Sequence, residues 1–275
     1  MFIDIHTHIL PGLDDGAQTI DDSLQMAQVA FNDGTTILVA TPHVRTGTFD
    51  NRKDDILIAA ADLNKELTAK GINLLVLPGA EYSLEPNLAK RLADGELLTI
   101  NNMGRHLMIE LPSLLIPDNT ENILYEIQLQ GVTPIIAHPE RNYALSRNPG
   151  LLQSYVKRGI LAQVTSTSIT GWFGREVRKT ALKFIGLGLV QCVASDGHAA
   201  TGRAPVLAQA YKEIRHKWGQ TCAQALAYDN PCRIINGETV ETGSLPRKQT
   251  IWNRLRGTLE GDWSEQKENK LYSLD

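Results

Sequence analysis

Two histidines near the start of the chain, His6 and His8, have the residue type and spacing of a metal-binding pair. The apolar stretch from Phe2 to His6 is typical of a strand, and side chains two apart on a strand point to the same side, so both imidazoles can face one ion. A Pro-Gly turn and the carboxylates Asp14 and Asp15 follow, so the chain can bend back and add an oxygen ligand. A His-x-His pair alone is a weak signal, because two such histidines are often only polar neighbours.

The signal becomes stronger because the same arrangement returns along the chain. Apolar runs of strand length alternate with amphipathic helical patterns, and about seven strand–helix units emerge without an internal repeat. Thr19 and Asp22 resemble a capping box and predict the start of the first helix. Continuous apolar strands are typical of parallel sheets buried on both faces. The sequence therefore predicts an α/β fold, and in a parallel barrel the carboxyl ends of all strands open on one rim.

Nine side chains with nitrogen or oxygen donors fall at or just past the predicted strand ends, or in the loop after the first strand. They are His6, His8, Asp14, His43, Glu81, Glu110, His138, Asp196 and His198. A single histidine after a strand is more often a hydrogen-bonded loop residue, but nine donors at one rim are hard to explain by chance. Donors of this kind without thiolate suit Mn²⁺, Fe or Zn²⁺, and nine are enough for two or three divalent ions. The histidines outside the set, His106 and His216, are expected to have structural roles.

Two or three divalent ions at this rim would leave an excess of positive charge, which attracts anions such as phosphate esters. Arg141 lies three residues after His138, and Arg203 lies five residues after His198, so both guanidinium groups can reach the same rim. Guanidinium forks match phosphate oxygens, although each arginine alone could equally belong to a surface salt bridge. Arg45 is a weaker third candidate.

The composition limits the remaining classes of function. The chain has 275 residues, 42% of them hydrophobic, which fits one large α/β domain, and its net charge of −4 shows no basic excess for nucleic acid. Three cysteines without Cys-x-x-Cys spacing argue against a disulfide framework and for a reducing cytoplasm. We expect neither a transmembrane segment nor a signal peptide. None of the cysteines begins a Cys-x₅-Arg loop, which excludes thiol-based tyrosine phosphatase chemistry.

Six motifs together resemble the PHP (polymerase and histidinol phosphatase) superfamily, and within it the bacterial capsule and exopolysaccharide protein tyrosine phosphatases. They are DIHTHILPGLDDG (4–16), ATPH (40–43), GAE (79–81), IEL (109–111), AHPERN (137–142) and ASDGH (194–198). The resemblance covers about residues 1–240 and implies a distorted (β/α)₇ TIM-like barrel, the PHP fold, in a single domain that we place at residues 1–243. Residues 244–275 form a polar tail that we expect to be mobile and to which we assign no role.

The resemblance also implies how the nine donors divide among three ions, with manganese most often supporting activity. The first ion would be held by His6, His8, Glu81 and Asp196. Glu81 would bridge to the second ion, held also by Glu110 and His138, and the third would be held by Asp14, His43 and His198. Carboxylates at positions 14 and 110, where many PHP proteins have histidine, match the tyrosine phosphatase branch. Arg141 and Arg203 match its phosphate-binding arginines.

The implied function is hydrolysis of phosphotyrosine in proteins, a phosphoric monoester hydrolase reaction in which a metal-activated hydroxide attacks phosphorus while Arg141 and Arg203 hold the non-bridging oxygens. The implied partner is an autophosphorylated bacterial tyrosine kinase in exopolysaccharide regulation, with no nucleic acid.

Two alternatives stay open. One is a PHP phosphatase of a small metabolite such as histidinol phosphate, or a phosphodiesterase, and the other is a non-catalytic kinase-binding module with a structural metal. Trp172 and Phe173, in the loop 165–174, could stack on a tyrosyl ring or form a lid, or they could equally be core or inter-subunit aromatics. The sequence leaves the general acid and the formation of an oligomer undecided.

Overall fold

Nine strands, all paired in parallel, organise residues 1–243, the part of the chain that this computed structural model describes. The strands are Phe2–Thr7 (β1), Thr35–Ala40 (β2), His43–Val44 (β3), Leu75–Pro78 (β4), Glu81–Ser83 (β5), His106–Glu110 (β6), Thr133–Ala137 (β7), Leu161–Thr165 (β8) and Cys192–Ala194 (β9). The α-helices are Ile20–Asp33 (α1), Lys53–Ala69 (α2), Leu88–Ala93 (α3), Thr120–Leu129 (α4), Tyr143–Arg147 (α5), Pro149–Lys157 (α6), Ser166–Thr170 (α7), Arg175–Gly186 (α8), Ala208–Trp218 (α9), Gln220–Gln224 (α10) and Asn230–Ile235 (α11).

The strands form two parallel sheets. One sheet has the order β1-β2-β4, and the other has the order β3-β5-β6-β7-β8-β9. A single bridge between Thr7 and Gly197 joins β1 to the segment after β9, and there the amide of His8 donates to the Gly197 carbonyl oxygen over 2.8 Å. The predicted α/β class with parallel pairing is confirmed, while the hydrogen bonds between the described strands form two sheets rather than one closed barrel.

Strands β3 and β5, of two and three residues, were not predicted, and they arise where longer strands break. Pro42 has no N–H to donate and ends β2, and Gly79 follows β4 where a Cβ would lie only 2.9 Å from a methyl group of Val39. After each break the chain continues in the second sheet. There His43 pairs with Glu81 in the register of β3 and β5, so two predicted metal donors become neighbours.

Both faces of the strands are buried, as the continuous apolar runs predict. On one face Ile3, Ile5 and Met108 belong to a core enclosed by the strands. On the other face Leu38 and Ile109 pack against the helices. Because successive side chains on a strand alternate between faces, strands such as β1 and β6 supply both cores, which holds their ends in place.

Helix α1 begins at the predicted capping box. The Thr19 side chain accepts a hydrogen bond from the Asp22 amide over 3.2 Å, and the Asp22 carboxylate accepts one from the Thr19 amide over 2.9 Å. The helix ends at Gly34, whose φ of 104° lies in the left-handed region. Both ends therefore follow from local sequence.

The later helices differ from the predicted pattern in two places. Helix α7 lies in the stretch predicted to be a loop. The sequence pattern also predicts that the last long helix begins at Arg203, but α9 begins at Ala208, so that Arg203 lies on a loop. The tail that we expected to be mobile, 244–275, falls outside the described residues. Within residues 1–243, no helix combines the length and apolar character needed to cross a membrane.

His106, at the start of β6 and so at the opposite strand end from the predicted donors, should make stability depend on pH. Burial, with Arg105 nearby, lowers the pKa of His106 to about 4, against 6.5 for an ordinary histidine. Between these values the unfolded chain binds a proton that the folded chain does not, so the free energy of unfolding should fall by about 3 kcal/mol as the pH drops from 7 to 4. We expect His106→Gln to remove this part of the slope in urea unfolding of the metal-free protein. The exposed His216→Gln is the control, and equal slopes in the two variants would contradict the prediction.

Candidate metal centre

The structure brings eight of the nine predicted donors together at the strand ends. Their ligand atoms form four overlapping groups, and within each group all ligand atoms lie within 4.8 Å of one another. The groups are His6, His8 and Glu81; His6, His138 and Asp196; His43, Glu81 and Glu110; and His8, Asp15, His43 and His198. Asp15 appears in place of the predicted Asp14.

Three of the histidines are oriented by hydrogen bonds on their outer ring nitrogens. His6 Nδ1 lies 2.9 Å from Gln163 Oε1, and His8 Nδ1 lies 2.6 Å from Asp14 Oδ2. His198 Nδ1 lies 3.0 Å from a backbone carbonyl oxygen. Because each Nδ1 faces an acceptor, it donates its hydrogen there, and Nε2 is the nitrogen directed into the site, where it can bind a metal that displaces its proton. Histidines that bind metals are held in this way.

At the centre, nitrogen and oxygen atoms of four side chains crowd around one point. His6 Nε2 and His8 Nε2 are 3.2 Å apart, Glu81 Oε2 lies 3.2 and 3.5 Å from them, and Asp196 Oδ1 lies 3.4 and 3.3 Å from them. Glu81 Oε2 and His198 Nε2 are both buried with no hydrogen-bond partner among the described residues. Unpartnered donors that converge on one point fit a metal cation.

The two central carboxylates remain ionised despite their burial. Burial by itself raises the pKa of Glu81, but the charge of His6 and the hydrogen bond from His138 outweigh it and hold that pKa well below its usual value. Burial likewise raises the pKa of Asp196, while Arg141 and His6 hold it well below its usual value. Both carboxylates are therefore buried negative charges that attract positively charged groups.

The pKa of His8 shows how strongly the surrounding carboxylates stabilise positive charge in the site. Burial lowers the pKa of His8, but the hydrogen bonds with Asp14 and Asp196 outweigh burial and raise it to about 10. Burial also raises the pKa of Asp14, and the bond to His8 outweighs it and brings the pKa down to about 2. A site that holds a proton this tightly offers the same charge attraction to a divalent cation, which replaces protons on its ligands when it binds.

Asp14 is the predicted metal ligand, but Asp15 is the residue of this pair that groups with the other donors. Asp14 lies behind His8, where Oδ2 contacts His8 Nδ1 and accepts from the His43 amide over 2.8 Å. Asp15 Oδ1 instead lies 3.4 Å from His198 Nε2 and 3.7 Å from His43 Nε2. Neighbouring residues of a turn point in different directions, and only the second carboxylate of the doublet points at the other donors. Asp15 is the site residue that the sequence interpretation missed.

Glu110 and His138, which the resemblance assigns to one ion, fall into different donor groups in the structure. Glu110 groups with His43 and Glu81, while His138 Nε2 lies 2.8 Å from Glu81 Oε1. Glu110 Oε2 further accepts from Arg45 Nη2 over 3.1 Å. Glu81 thus belongs to two of the donor groups and also contacts His138 of a third.

Both predicted arginines lie at a cavity of about 320 Å³ beside these donors. Arg141 Nη2 and Arg203 Nη2 lie 2.6 and 2.7 Å from Asp196 Oδ2. Arg203 Nε has no hydrogen-bond partner among the described residues. Arg45 lines the same cavity and also binds Ser83 Oγ over 2.9 Å. The cavity therefore offers guanidinium N–H groups that can bind an anion, and these lie next to the side chains that can bind metal.

The backbone is strained at two of these positions. His138 and Asp196 have φ values of 32° and 52°, in the left-handed region that residues other than glycine seldom occupy. Such conformations persist where surrounding contacts impose them, and they concentrate at functional sites. Here the Asp196 amide donates to the His6 carbonyl oxygen over 2.9 Å, which holds the strained residue beside β1.

Parallel strands that end in clustered imidazoles and carboxylates, beside paired arginines, define a metal-binding α/β protein with a pocket for an anion. The chain belongs to the capsular polysaccharide synthesis CpsB/CapC family, which it matches over residues 2–236. The resemblance found in the six motifs is thereby confirmed.

Relatives of known name agree with this membership. The chain is 36% identical over 238 residues to the tyrosine-protein phosphatase YwqE of Bacillus subtilis, covering 86% of this chain and 93% of the relative. It is 30% identical over 246 residues to the tyrosine-protein phosphatase CpsB of Streptococcus pneumoniae, covering 86% and 100%. A solved structure from work on these two proteins, described as unique metal-dependent tyrosine phosphatases, is 34% identical with a TM-score of 0.84, covering 90% of this chain and 100% of the other.

Proposed function

We propose that this protein is a metal-dependent phosphatase that hydrolyses phosphotyrosine in proteins. The observation that carries the proposal is the meeting of buried, unpartnered metal donors with the guanidinium groups of Arg141 and Arg203 at one cavity. The names of the relatives, tyrosine-protein phosphatases from two bacteria, support the same reaction.

The cofactor in this proposal is a set of two or three divalent ions, with Mn²⁺ first and Fe or Zn²⁺ as alternatives. The proposed ligands are His6, His8, Asp15, His43, Glu81, Glu110, His138, Asp196 and His198. When bound, such ions lower the pKa of a water molecule and stabilise negative charge on phosphate oxygens. Asp14 is left out of the ligand set, because both of its oxygens are used in holding His8 and the backbone of its own loop.

The arginines hold the phosphate group in this proposal. Their Nη2 atoms already share one carboxylate oxygen of Asp196, so the two guanidinium groups converge on one small volume. Arg203 Nε adds a donor with no other use among the described residues. N–H groups fixed around a phosphate stabilise the charge that its oxygens carry during transfer, and they cost no reorganisation when the reaction occurs.

A protein-borne phosphate suits the exposure of this cavity. The side chains of Arg141 and Arg203 are 21% and 31% exposed, and that of Arg45 is 50% exposed, so a phosphate can be presented from solvent. Ser113 lines the cavity, and the next two residues, Leu114 and Leu115, are 74% and 55% exposed. Exposed apolar side chains beside a phosphate pocket offer contacts for the peptide around a phosphotyrosine.

The proposal extends to partner, location and architecture. The substrate would be an autophosphorylated bacterial tyrosine kinase in exopolysaccharide regulation, in line with the capsular polysaccharide synthesis family. A cytoplasmic location accords with the free thiols of Cys192, Cys222 and Cys232. Residues 1–243 would form one domain, a distorted (β/α)₇ barrel in which the Thr7–Gly197 bridge closes one side.

The test is phosphate release from a phosphotyrosine peptide and from histidinol phosphate, with Mn²⁺ present or removed by a chelator. We expect hydrolysis of the peptide that is lost on chelation and restored by Mn²⁺, with at least about a tenfold preference in kcat/KM over histidinol phosphate. A preference for histidinol phosphate would overturn the substrate class. Hydrolysis that persists unchanged without metal would overturn the role of the ions.

A further inference from the structure

We infer that Phe173 is a positioning residue that holds Arg141 and Arg203 in place for the phosphate group, an inference that rests on the proposed function. The Cζ atom of Arg141 lies 5.0 Å from the centroid of the Phe173 ring, and that of Arg203 lies 5.9 Å from it. Both distances fall within the range of cation–π contacts. One aromatic ring is thus shared by two guanidinium groups that come from different segments, one after β7 and one after β9.

Within residues 1–243, the polar contacts of both guanidinium groups are made to Asp196 alone and through Nη2 atoms, which leaves the orientation of their planes to other contacts. Each is held near Asp196 through an Nη2 atom, and two like charges at one carboxylate oxygen repel each other. Arginine also has long, rotatable side chains whose ordering costs conformational entropy on binding. A ring face that attracts both cations offsets their repulsion and leaves their edges free to donate to an anion.

The loop that carries Phe173 is itself firmly held. Gly171 and Gly174, on either side of the two aromatic residues, have φ values of 96° and 91°, which only glycine adopts readily. The amide of Trp172 donates to the Thr167 carbonyl oxygen over 2.9 Å, and the amide of Gly174 donates to the Gly171 carbonyl oxygen over 3.0 Å. The tight turn therefore presents the ring from a fixed backbone.

Trp172 adds a second contact between this loop and the segment that bears Arg203. Gly202 directly precedes Arg203, and a Cβ placed on Gly202 would lie 3.5 Å from Cζ2 of the Trp172 indole. The indole is 61% exposed and lies over the outside of the segment, while Phe173 faces the guanidinium groups. The loop thus approaches both the backbone beside Arg203, through Trp172, and the Arg203 guanidinium group, through Phe173.

The test compares Phe173→Leu and Phe173→Met, which keep an apolar side chain but remove the ring, with Phe173→Tyr, which keeps it. The control is Tyr143→Leu, which removes an exposed ring that stacks on Arg147 outside the cavity. We expect both ring-removing variants to bind inorganic phosphate about tenfold more weakly by calorimetry on the Mn²⁺-loaded protein. Their kcat/KM for a phosphotyrosine peptide should fall by a similar factor, with Mn²⁺ content and Tm unchanged. Phe173→Tyr and the control should stay within about twofold of wild type.

A double-mutant cycle separates positioning from a general structural role. In an Arg141→Ala, Arg203→Ala background, Phe173→Leu should weaken phosphate binding no further, because the side chains that it positions are gone. Equal losses in both backgrounds, or unchanged phosphate binding in the ring-removing variants, would overturn the inference. If the wild-type protein binds phosphate but hydrolyses no phosphotyrosine peptide, the proposed function fails, while the phosphate cycle still decides the role of Phe173.

Discussion

Replacing Glu81 by glutamine is expected to lower kcat/KM by about a thousandfold, the largest single effect that the structure predicts. Glu81 is fully buried, and its Oε2 faces His6, His8 and His43, while its Oε1 faces His138. The amide keeps the shape of the side chain but removes its charge. The buried positive partners then lack a counter-charge, which lowers the stability of the site by about 3–5 kcal/mol. Because the same carboxylate belongs to two of the donor groups, more than one ion should be bound less tightly.

The measurement for this variant combines metal content by mass spectrometry with steady-state kinetics at several Mn²⁺ concentrations. Glu121→Gln is the matched control, since it removes the same charge from an exposed ion pair with Arg158, and such pairs are worth at most about 1 kcal/mol. We expect the control to keep its metal and its activity. A Glu81→Gln protein with full metal content and ordinary kinetics would show that the donors do not converge on ions as proposed.

The double variant Arg141→Ala, Arg203→Ala is expected to lose about 10³ in kcat/KM while it still binds metal. Neither arginine is itself a member of a donor group, and of the two Asp196 carboxylate oxygens both contact only the one that faces away from the imidazoles, so their removal should leave the donor atoms in place. The loss should be shared between kcat and KM, because the guanidinium groups touch phosphate oxygens in both the bound state and the transition state. Inorganic phosphate should inhibit the double variant far more weakly than it inhibits the wild-type protein.

Arg158→Ala serves as the control for this experiment, because Arg158 lies in a surface ion pair and outside the cavity. Phosphate release from a phosphotyrosine peptide, followed with equal Mn²⁺ occupancy in every sample, gives the comparison. Unchanged kcat/KM in the double variant would remove both arginines from the reaction and return them to the role of surface ion pairs.

Where the chemistry lies could be predicted from sequence, because the donors follow strands whose ends a parallel fold must bring together. His6 and Asp196 are 190 positions apart, yet both end parallel strands, and the structure places their side-chain atoms 3.4 Å apart. Local signals were equally informative where one turn of chain decides the outcome, as in the capping box of Thr19 and Asp22.

The features that sequence did not predict depend on loop backbone and on contacts between distant segments. Which carboxylate of the doublet Asp14 and Asp15 points at the donors is decided by the turn, and the two residues are identical in type. Strands β3 and β5 have two and three residues, too short for any periodic pattern. The sequence allows Phe173 to stack on a tyrosyl ring, to form a lid, or to belong to the core or an inter-subunit contact, and its contact with the guanidinium groups of Arg141 and Arg203 is none of these.

The two oxygens of Asp196 look in opposite directions, one toward imidazoles and one toward guanidinium groups. A single negative charge is divided between these neighbours, so whatever approaches one oxygen alters how strongly the other is held. Cation and anion sites joined through a common carboxylate are linked by one coupling free energy, and each ligand must change the affinity for the other by the same factor. In the proposed function, the affinity for phosphate is therefore coupled to the affinity for metal, and part of each would be gained or lost with the other ligand.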